Sequence, residues 1–241
     1  FKDARWLLGK KLFFDKNFSD DRSISCASCH LPSRAFSDTV ALSPGSEKKP
    51  GTRNAPSLAN VAYHPYYTRD GGVASLEMHV LVPIQEHNEF NSNILEIAKR
   101  LQNNSEYLQL AKQAYNRDLD YYVITRALAN FQRTLLSGNS AYDQYVLKKN
   151  KKALNAQQLR GMNLFFSERT NCSSCHSGFN FTNYAFENTG LYEKYNDIGR
   201  KRLTLSDEDL EKFKVPSLRN VAVTGPYMHD GSVPNLEAVV E

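Results

Sequence analysis

Apolar residues recur at three- and four-residue steps along much of the chain, which is the spacing of one face of an α-helix. Between Asp118 and Ser137 the apolar positions are Val123, Ile124, Ala127, Leu128, Phe131 and Leu135. Gly138 follows this stretch and is predicted to end the helix. Alternating strand patterns are scarce, and residues 31–57 and 177–204 gather Gly, Pro, Ser and Asn and are predicted to be loops. The pattern predicts an all-α protein with little β structure.

Polar residues mark several predicted helix starts. Asn93 with Glu96, and Asn155 with Gln158, have the spacing of capping boxes or close relatives of them. The last residues, PNLEAVVE, also open like a helix but lack a residue that would end one. We therefore expect the native protein to continue beyond Glu241.

The chain contains two pairs of similar segments, which indicates an internal duplication. KKLFFDKNFSDDRSISCASCH at 10–30 is similar to MNLFFSERTNCSSCH at 162–176. APSLANVAYHPYYTRDGGVASLE at 55–77 is similar to VPSLRNVAVTGPYMHDGSVPNLE at 215–237. Each half therefore has one CxxCH motif followed by one PSLxNVA block.

Two similar domains are predicted, over 1–150 and 151–241, and the second is expected to be truncated at its C-terminus. The run KKNKK at 148–152 is predicted to be a solvated linker, with docking of an acidic partner as the alternative. The chain is 41% hydrophobic and 23% charged, as expected for a folded domain, and no apolar run approaches the roughly 18–20 residues of a membrane span. A net charge of +4 without a dense basic stripe argues against a nucleic-acid partner.

All four cysteines lie in two copies of one pentapeptide, CASCH and CSSCH. C-x-x-C-H is the attachment pattern of c-type haem. On a helix, positions i, i+3 and i+4 share one face, so two thiols can bond the porphyrin edge while the histidine reaches the iron. The predicted haem anchors are Cys26, Cys29, Cys172 and Cys175, and the predicted axial ligands are His30 and His176.

Other uses of paired cysteines are weaker alternatives. A four-thiolate zinc site has its pairs roughly 15–20 residues apart, far closer than Cys29 and Cys172. A thioredoxin-like redox pair needs a βαβ context, which the pattern lacks. Two disulfides that close such short loops would contribute little stability. Two covalently bound haems are therefore the favoured prediction.

RNAPSL follows the first CxxCH motif, and VPSLRNVAVTGPYMHDGS follows the second. Together with the duplicated CxxCH motifs, these segments resemble those of the bacterial di-haem cytochrome c peroxidase and MauG superfamily. The resemblance implies two cytochrome c-like haem domains in a periplasmic protein whose signal peptide is removed. It also implies that one haem reacts with hydrogen peroxide and that the other receives electrons from a small cytochrome c or a cupredoxin. A homodimer is compatible with this prediction.

The resemblance also bears on the first iron. In relatives that need reductive activation, a histidine in the loop after the first CxxCH blocks this iron, and residues 31–57 contain no histidine. The resemblance therefore implies that the haem held by His30 is open without activation. Closure by His79 is the alternative, and His64 and His87 are weaker candidates.

Peroxide cleavage needs a group that moves a proton between the two peroxide oxygens. The distal acid of the family matches Glu89 in VPIQEHNEF, and a solvated loop acid is the alternative. Ten residues earlier many relatives place Gln, whereas this chain has His79. Its imidazole could hydrogen-bond peroxide or simply pack within a helix.

Arg69 is a further departure from the family pattern. Arg69 in YYTRDGG stands where relatives often place a Trp that relays electrons between the haems. Arginine cannot be oxidised in this way, so that route is in doubt. Tyr66 or Tyr67 could substitute, or could serve only in packing.

The resemblance further implies a calcium ion held by the Asn54 side chain, the backbone oxygens of Thr224 and Pro226, and waters. Oxygen-only ligation suits Ca²⁺, and a turn role for Asn54 is the alternative. The sixth ligand of the second haem is expected beyond Glu241, with Met228 as the weaker choice. In the family this ligand is Met in peroxidases and Tyr in MauG.

The predicted function is a di-haem c-type peroxidase that reduces hydrogen peroxide to water with electrons from a small redox protein. One alternative is a MauG-like enzyme that uses peroxide to oxidise a protein or an organic substrate. A second alternative is a di-haem electron carrier whose irons are both six-coordinate.

Overall fold

The computed structural model describes residues 3–241, which are mostly helices joined by loops. The helices are α1 (Ala4–Phe13), α2 (Cys26–Cys29), α3 (Leu76–His79), α4 (Leu81–Gln85), α5 (Ile94–Leu101), α6 (Ser105–Tyr115), α7 (Tyr121–Arg133), α8 (Ala141–Val146), α9 (Ala156–Phe165), α10 (Lys201–Thr204) and α11 (Leu236–Val240). Two short strands, β1 (Phe186–Glu187) and β2 (Phe213–Lys214), pair antiparallel with Phe186 opposite Lys214. The prediction of a mainly helical fold with little β structure is confirmed.

Single 3-10 turns connect several of these elements. They lie at Lys16–Phe18, Pro32–Arg34, Ser46–Lys48, Val61–Tyr63, Cys172–Ser174, Asp207–Asp209 and Val221–Val223. Two of the turns, Val61–Tyr63 and Val221–Val223, occupy matching places in the two PSLxNVA blocks.

The described residues form two compact units. The first contains the described residues up to Leu135 together with Val221–Glu241, and the second is Leu136–Asn220. The sequence predicted a division after residue 150. In the structure the second unit already begins at Leu136, and Val221–Glu241 belongs to the first unit. A backbone hydrogen bond of 2.8 Å from the Asn54 N–H to the His229 carbonyl helps to hold that segment there.

The first unit has a hydrophobic core in which α1 and α6 pack together and α7 packs against α1, α3 and α5. The apolar positions predicted for α7 supply much of this core. Val123, Ile124, Ala127, Leu128 and Phe131 are buried, and Leu135 packs against the same cluster. The helical spacing in the sequence therefore identified the correct buried face.

The end of α7 differs from the prediction. The helix ends at Arg133, and the Thr134 and Leu135 N–H groups close it with bonds to the carbonyls of Phe131 and Gln132. Gly138 lies outside the helix and does not cap it. A Cβ atom at Gly138 would lie 2.9 Å from the Phe179 ring, so close side-chain packing explains the glycine.

The predicted caps are largely present. Asn155 and Gln158 form the full reciprocal capping box at the start of α9. Asn93 caps α5 by accepting a hydrogen bond from the Leu95 N–H. At α11, Asn235 accepts from the Ala238 N–H, as the sequence PNLEAVVE predicted.

The second unit has a smaller apolar interior. Its buried apolar side chains, among the described residues, are Tyr195 and Val215, whereas Leu164, Phe166 and Phe179 are exposed. An ion pair between Arg219 and Asp143 is buried inside this unit. Along residues 3–241 no helix is both long enough and apolar enough to cross a membrane.

Candidate functional site

The two CxxCH motifs adopt similar but unequal turns. Cys26 and Cys29 lie on the single helical turn α2, whereas Cys172 begins a shorter 3-10 turn. In both motifs the histidine N–H bonds the carbonyl of the first cysteine, at 3.0 Å for His30 and 2.9 Å for His176. None of the four cysteines is paired in a disulfide.

A backbone carbonyl orients each motif histidine. The Nδ1–H of His30 donates to the Phe36 carbonyl at 2.8 Å, and the Nδ1–H of His176 donates to the Phe181 carbonyl at 2.9 Å. Because a carbonyl can only accept, the proton lies on Nδ1 and Nε2 is left with a lone pair for a metal. Burial lowers the pKa of His30, which favours this neutral form.

The two acceptor phenylalanines share an unusual backbone and similar packing. Phe36 has φ 61° and Phe181 has φ 52°, the left-handed region that non-glycine residues rarely adopt. Their rings pack edge-on against Phe13 and Phe165, with centroids 5.9 and 6.1 Å apart. Phe13 and Phe165 are the matching residues of the two LFF segments, so each of these similar segments supports its own histidine acceptor.

The serine of each PSL motif supports the same loop. The Ser57 hydroxyl donates to the Ala35 carbonyl at 2.6 Å, and the Ser217 hydroxyl donates to the Asn180 carbonyl at 2.7 Å. These carbonyls immediately precede Phe36 and Phe181. Sequence reasoning did not assign a role to either serine, although the repetition of PSL at matching positions was a usable signal.

The residues around α2 fit a c-type haem. Cys26 and Cys29 are half-buried. Burial, with smaller contributions from nearby charges, raises the pKa of Cys26 to about 12 and that of Cys29 to about 11. Two thiols and an imidazole with a lone pair are the groups that a c-type haem uses. Among the described residues no set of three or more His, Cys, Asp or Glu side chains is arranged to hold a metal ion.

Glu89 is within electrostatic range of this cysteine pair. Its carboxylate is the smallest of the causes that act on the pKa values of Cys26 and Cys29, of which burial is the largest. Burial, followed by repulsion from Glu86, raises the pKa of Glu89 itself to about 7. The side chain is nevertheless exposed, so protein atoms surround a carboxyl group that solvent can still reach. A carboxyl group of this pKa can both accept and donate a proton near neutral pH.

The loop after the first CxxCH holds the backbone of Glu89. The Ser46 N–H donates to the Glu89 carbonyl at 2.7 Å. A Cβ atom at Gly45 would lie 2.1 Å from the Asn88 carbonyl oxygen and 2.8 Å from that of Glu89. Gly45 is therefore needed for the close approach of the two loops.

The other predicted histidines lie in different surroundings. His79 ends α3, and its ring centroid is 5.7 Å from that of the buried Tyr67. The ring of Tyr67 also stacks with that of His64, with centroids 6.5 Å apart. His87 is exposed, with Nε2 3.1 Å from Lys49 Nζ and Nδ1 2.8 Å from Asn91 Oδ1. His87 therefore has the surroundings of a surface residue.

Asn54 is buried and its polar groups are engaged by protein. Its Nδ2 donates to the Val40 and Ala41 carbonyls at 3.3 and 3.2 Å. Its Oδ1 accepts from the Arg69 guanidinium at 2.9 Å. Thr224 and Pro226, the other predicted calcium ligands, belong to the same compact unit, but Asn54 contacts that segment through His229.

The model of the di-haem cytochrome c peroxidase family matches residues 3–152. The chain belongs to this family. It is 36% identical over 238 residues to the methylamine utilization protein MauG of Methylophilus methylotrophus, covering 97% of this chain and 70% of that protein. It is 34% identical over 239 residues to cytochrome c551 peroxidase of Nitrosomonas europaea, covering 97% of this chain and 71% of that protein.

Solved structures of family members agree with the fold. A MauG-like protein associated with microbial copper homeostasis superposes with a TM-score of 0.93 at 32% identity, covering 99% of this chain and 75% of that chain. Membership makes this chain an oxidoreductase of the peroxidase class and implies two c-type haems. The predictions of family, enzyme class and haem cofactor are confirmed at this level.

Proposed function

We propose that this chain is a di-haem peroxidase in which hydrogen peroxide reacts at the haem held by His30, without prior reductive activation, and Glu89 transfers the proton. The observations that carry the proposal are the raised pKa of the Glu89 carboxyl group and the 2.7 Å hydrogen bond that ties its backbone to Ser46, in the loop after the first CxxCH. A carboxyl group whose pKa is about 7 suits proton transfer in both directions.

The proposal rests on two haem domains that arose by duplication. Matching histidine–carbonyl bonds, serine–carbonyl bonds and left-handed phenylalanines around the two CxxCH motifs support it. Cys26, Cys29 and His30 would hold one haem, and Cys172, Cys175 and His176 the other. Each haem would supply an iron that exchanges electrons.

The proposed chemistry of the protein groups is simple. The backbone carbonyl of Phe36 accepts from Nδ1–H and fixes the His30 ring, so that Nε2 would be the atom that binds the haem iron. The Glu89 carboxylate accepts a proton from one peroxide oxygen and returns it to the departing oxygen as the O–O bond breaks. Two electrons and two further protons complete the reduction of one H₂O₂ to two H₂O.

The open first haem is supported by the sequence of the loop that follows it. Residues 31–57 contain no histidine, and Ser46 in this loop bonds the Glu89 backbone. We assign His79 a packing role, which its contact with Tyr67 supports, and we assign the acid–base role to Glu89 alone.

Electrons are proposed to enter through the haem of the second unit from a small cytochrome c or a cupredoxin. The similarity to cytochrome c551 peroxidase supports this choice. Residence in the periplasm, where c-type haems and such donors occur together, is part of the same proposal. A homodimer remains compatible with it.

A test of the open iron uses the oxidised holoprotein without pre-reduction. We expect one equivalent of hydrogen peroxide to be consumed promptly, with an immediate change in haem absorption. Reduced cytochrome c added afterwards should then be oxidised at two molecules per peroxide, which balances the two electrons. Consumption that begins only after one electron has been supplied would contradict the proposal.

A MauG-like oxidation of a protein or organic substrate is the second candidate. It is favoured by the 36% identity to MauG of Methylophilus methylotrophus and by the missing loop histidine. The same experiment separates the two functions. Prompt peroxide consumption followed by slow oxidation of cytochrome c or cupredoxin donors would favour the MauG-like reaction.

A further inference from the structure

Arg69 is a cation enclosed within the first unit. Its Nε and Nη2 donate to the Asn54 main-chain carbonyl at 3.2 and 2.9 Å, and Nη2 also donates to Asn54 Oδ1 at 2.9 Å. Part of the residue is accessible, but protein surrounds the guanidinium, and burial lowers the pKa of Arg69 to about 10. At neutral pH the group therefore keeps its positive charge.

We propose that the Arg69 guanidinium takes the cation position at Asn54 that the family resemblance assigns to calcium, and that this chain folds and functions without that ion. The proposal does not depend on the reaction assigned to Glu89. It depends on the contacts of Asn54 and on the charges around Arg69.

The oxygen that calcium would need is already engaged. Calcium takes six to eight oxygen ligands at about 2.3–2.6 Å. Asn54 offers one side-chain oxygen, and Arg69 donates to it. Turning the amide to present this oxygen elsewhere would break the bonds that Nδ2 donates to the Val40 and Ala41 carbonyls.

The charges near Arg69 are also unfavourable for a divalent cation. Arg53 acts on Arg69 as a second positive charge, and Asp230 acts on it as a negative charge. Arg53 forms its own ion pair with the fully buried Asp70 at 2.8 Å. Two guanidinium groups and two carboxylates thus balance one another, and Ca²⁺ would add uncompensated positive charge.

The Arg69–Asn54 contact also replaces the structural role of a bridging ion. Asn54 bonds the 40–41 segment through its side chain and His229 through its backbone N–H. A calcium ion bound by Asn54, Thr224 and Pro226 would join the same two parts of the chain. Arg69 secures Asn54 between them without a metal.

The first experiment uses the wild-type holoprotein carrying both haems. After desalting, we expect elemental analysis to find well under one calcium per chain. We also expect the same Tm in 1 mM EGTA as in 1 mM CaCl₂, because these two conditions empty and fill calcium sites of ordinary affinity. One calcium retained per chain, or a Tm that falls with the chelator, would overturn the proposal.

Two variants test whether the charge of Arg69 is the cause. Arg69→Gln removes the cation and frees Asn54 Oδ1, so calcium should raise its Tm by about 5–10 °C at a concentration about 100-fold above Kd. Arg69→Lys keeps a cation at this position and should stay insensitive to calcium. If the Gln variant folds and binds no calcium, another feature excludes the ion and the assignment fails. If the Gln variant does not fold, a calcium-sensitive Lys variant would refute the proposal, and an insensitive one would support it.

Discussion

Arg219 and Asp143 form an ion pair inside the second unit, with 2.6 Å between Arg219 Nη1 and Asp143 Oδ2 and only 4% and 2% of the two side chains exposed. Arg219 Nε also donates to the Phe179 carbonyl at 2.7 Å. Phe179 lies two residues before Phe181, whose carbonyl accepts from His176. The matching position in the first PSLxNVA block is Ala59, so the second unit alone uses an ion pair here.

Removing Arg219 should strongly destabilise the second unit. Arg219→Ala leaves the Asp143 carboxylate buried without its cation, which costs about 3–5 kcal/mol. Urea denaturation followed by circular dichroism would measure the loss. Arg133→Ala is the matched control, because its ion pair with Glu77 is partly exposed and contributes roughly 0–1 kcal/mol. Equal losses in both variants would refute the expectation.

Glu89→Gln should abolish most of the peroxide reaction while leaving both haems attached. The amide keeps the size of the side chain but cannot accept and return the proton, so we expect a loss of about 10²–10⁴-fold in the rate. Stopped-flow absorption after peroxide addition would measure it, and the unchanged haem content serves as the control. A rate within a few-fold of wild type would remove Glu89 from the mechanism.

The pH dependence should depend on Glu86. The reaction requires the Glu89 carboxylate, so the wild-type rate should rise with pH and level off above the raised pKa of Glu89, which is about 7. Repulsion from Glu86 is one cause of the raised pKa of Glu89. Glu86→Gln should therefore lower the pKa of Glu89 and move the inflection of the rate to lower pH. Because Glu86 is exposed, high salt should reduce the difference between the two proteins. An inflection that stays in place or moves upward in the variant would argue against this electrostatic coupling.

Gly45→Ala tests the positioning of Glu89 by its neighbouring loop. The new Cβ would lie 2.1 Å from the Asn88 carbonyl oxygen, so one of the two loops must move. A displacement of about 1 Å can lower the rate about 10²-fold even though Glu89 is unchanged. Gly161→Ala is the control, because no atom lies within 4 Å of its added Cβ. Peroxide kinetics as fast as those of the control would show that the loop contact is unimportant.

The chemistry of the site could be predicted from sequence because it depends on short motifs. The spacing in CASCH and CSSCH places two thiols and an imidazole together whatever the rest of the fold does. The buried face of α7 was also predictable, since helical periodicity is local. Family membership then followed from the combination of motifs.

The remaining features depend on contacts between distant residues. The Phe36 and Phe181 carbonyls orient the two motif histidines only because Phe36 and Phe181 adopt a left-handed backbone. The amino-acid sequence does not indicate this conformation. Arg69 was recognised as a departure, but its bond to Asn54 spans fifteen residues. The compact units change at Leu135 and at Asn220, and the basic run at 148–152 does not indicate these positions because it predicts exposure and says little about packing.

The discontinuous make-up of the first unit has a consequence for biosynthesis. Val221–Glu241 pack with residues that precede Leu135, so the ribosome translates all of Leu136–Asn220 before it makes the segment that completes the first unit. A gene fragment that covers only the first haem-binding half would therefore encode a protein that lacks residues 221–241, with which that half packs. Expression of that half by itself should require residues 221–241 to be supplied as a second polypeptide or joined through a short artificial loop.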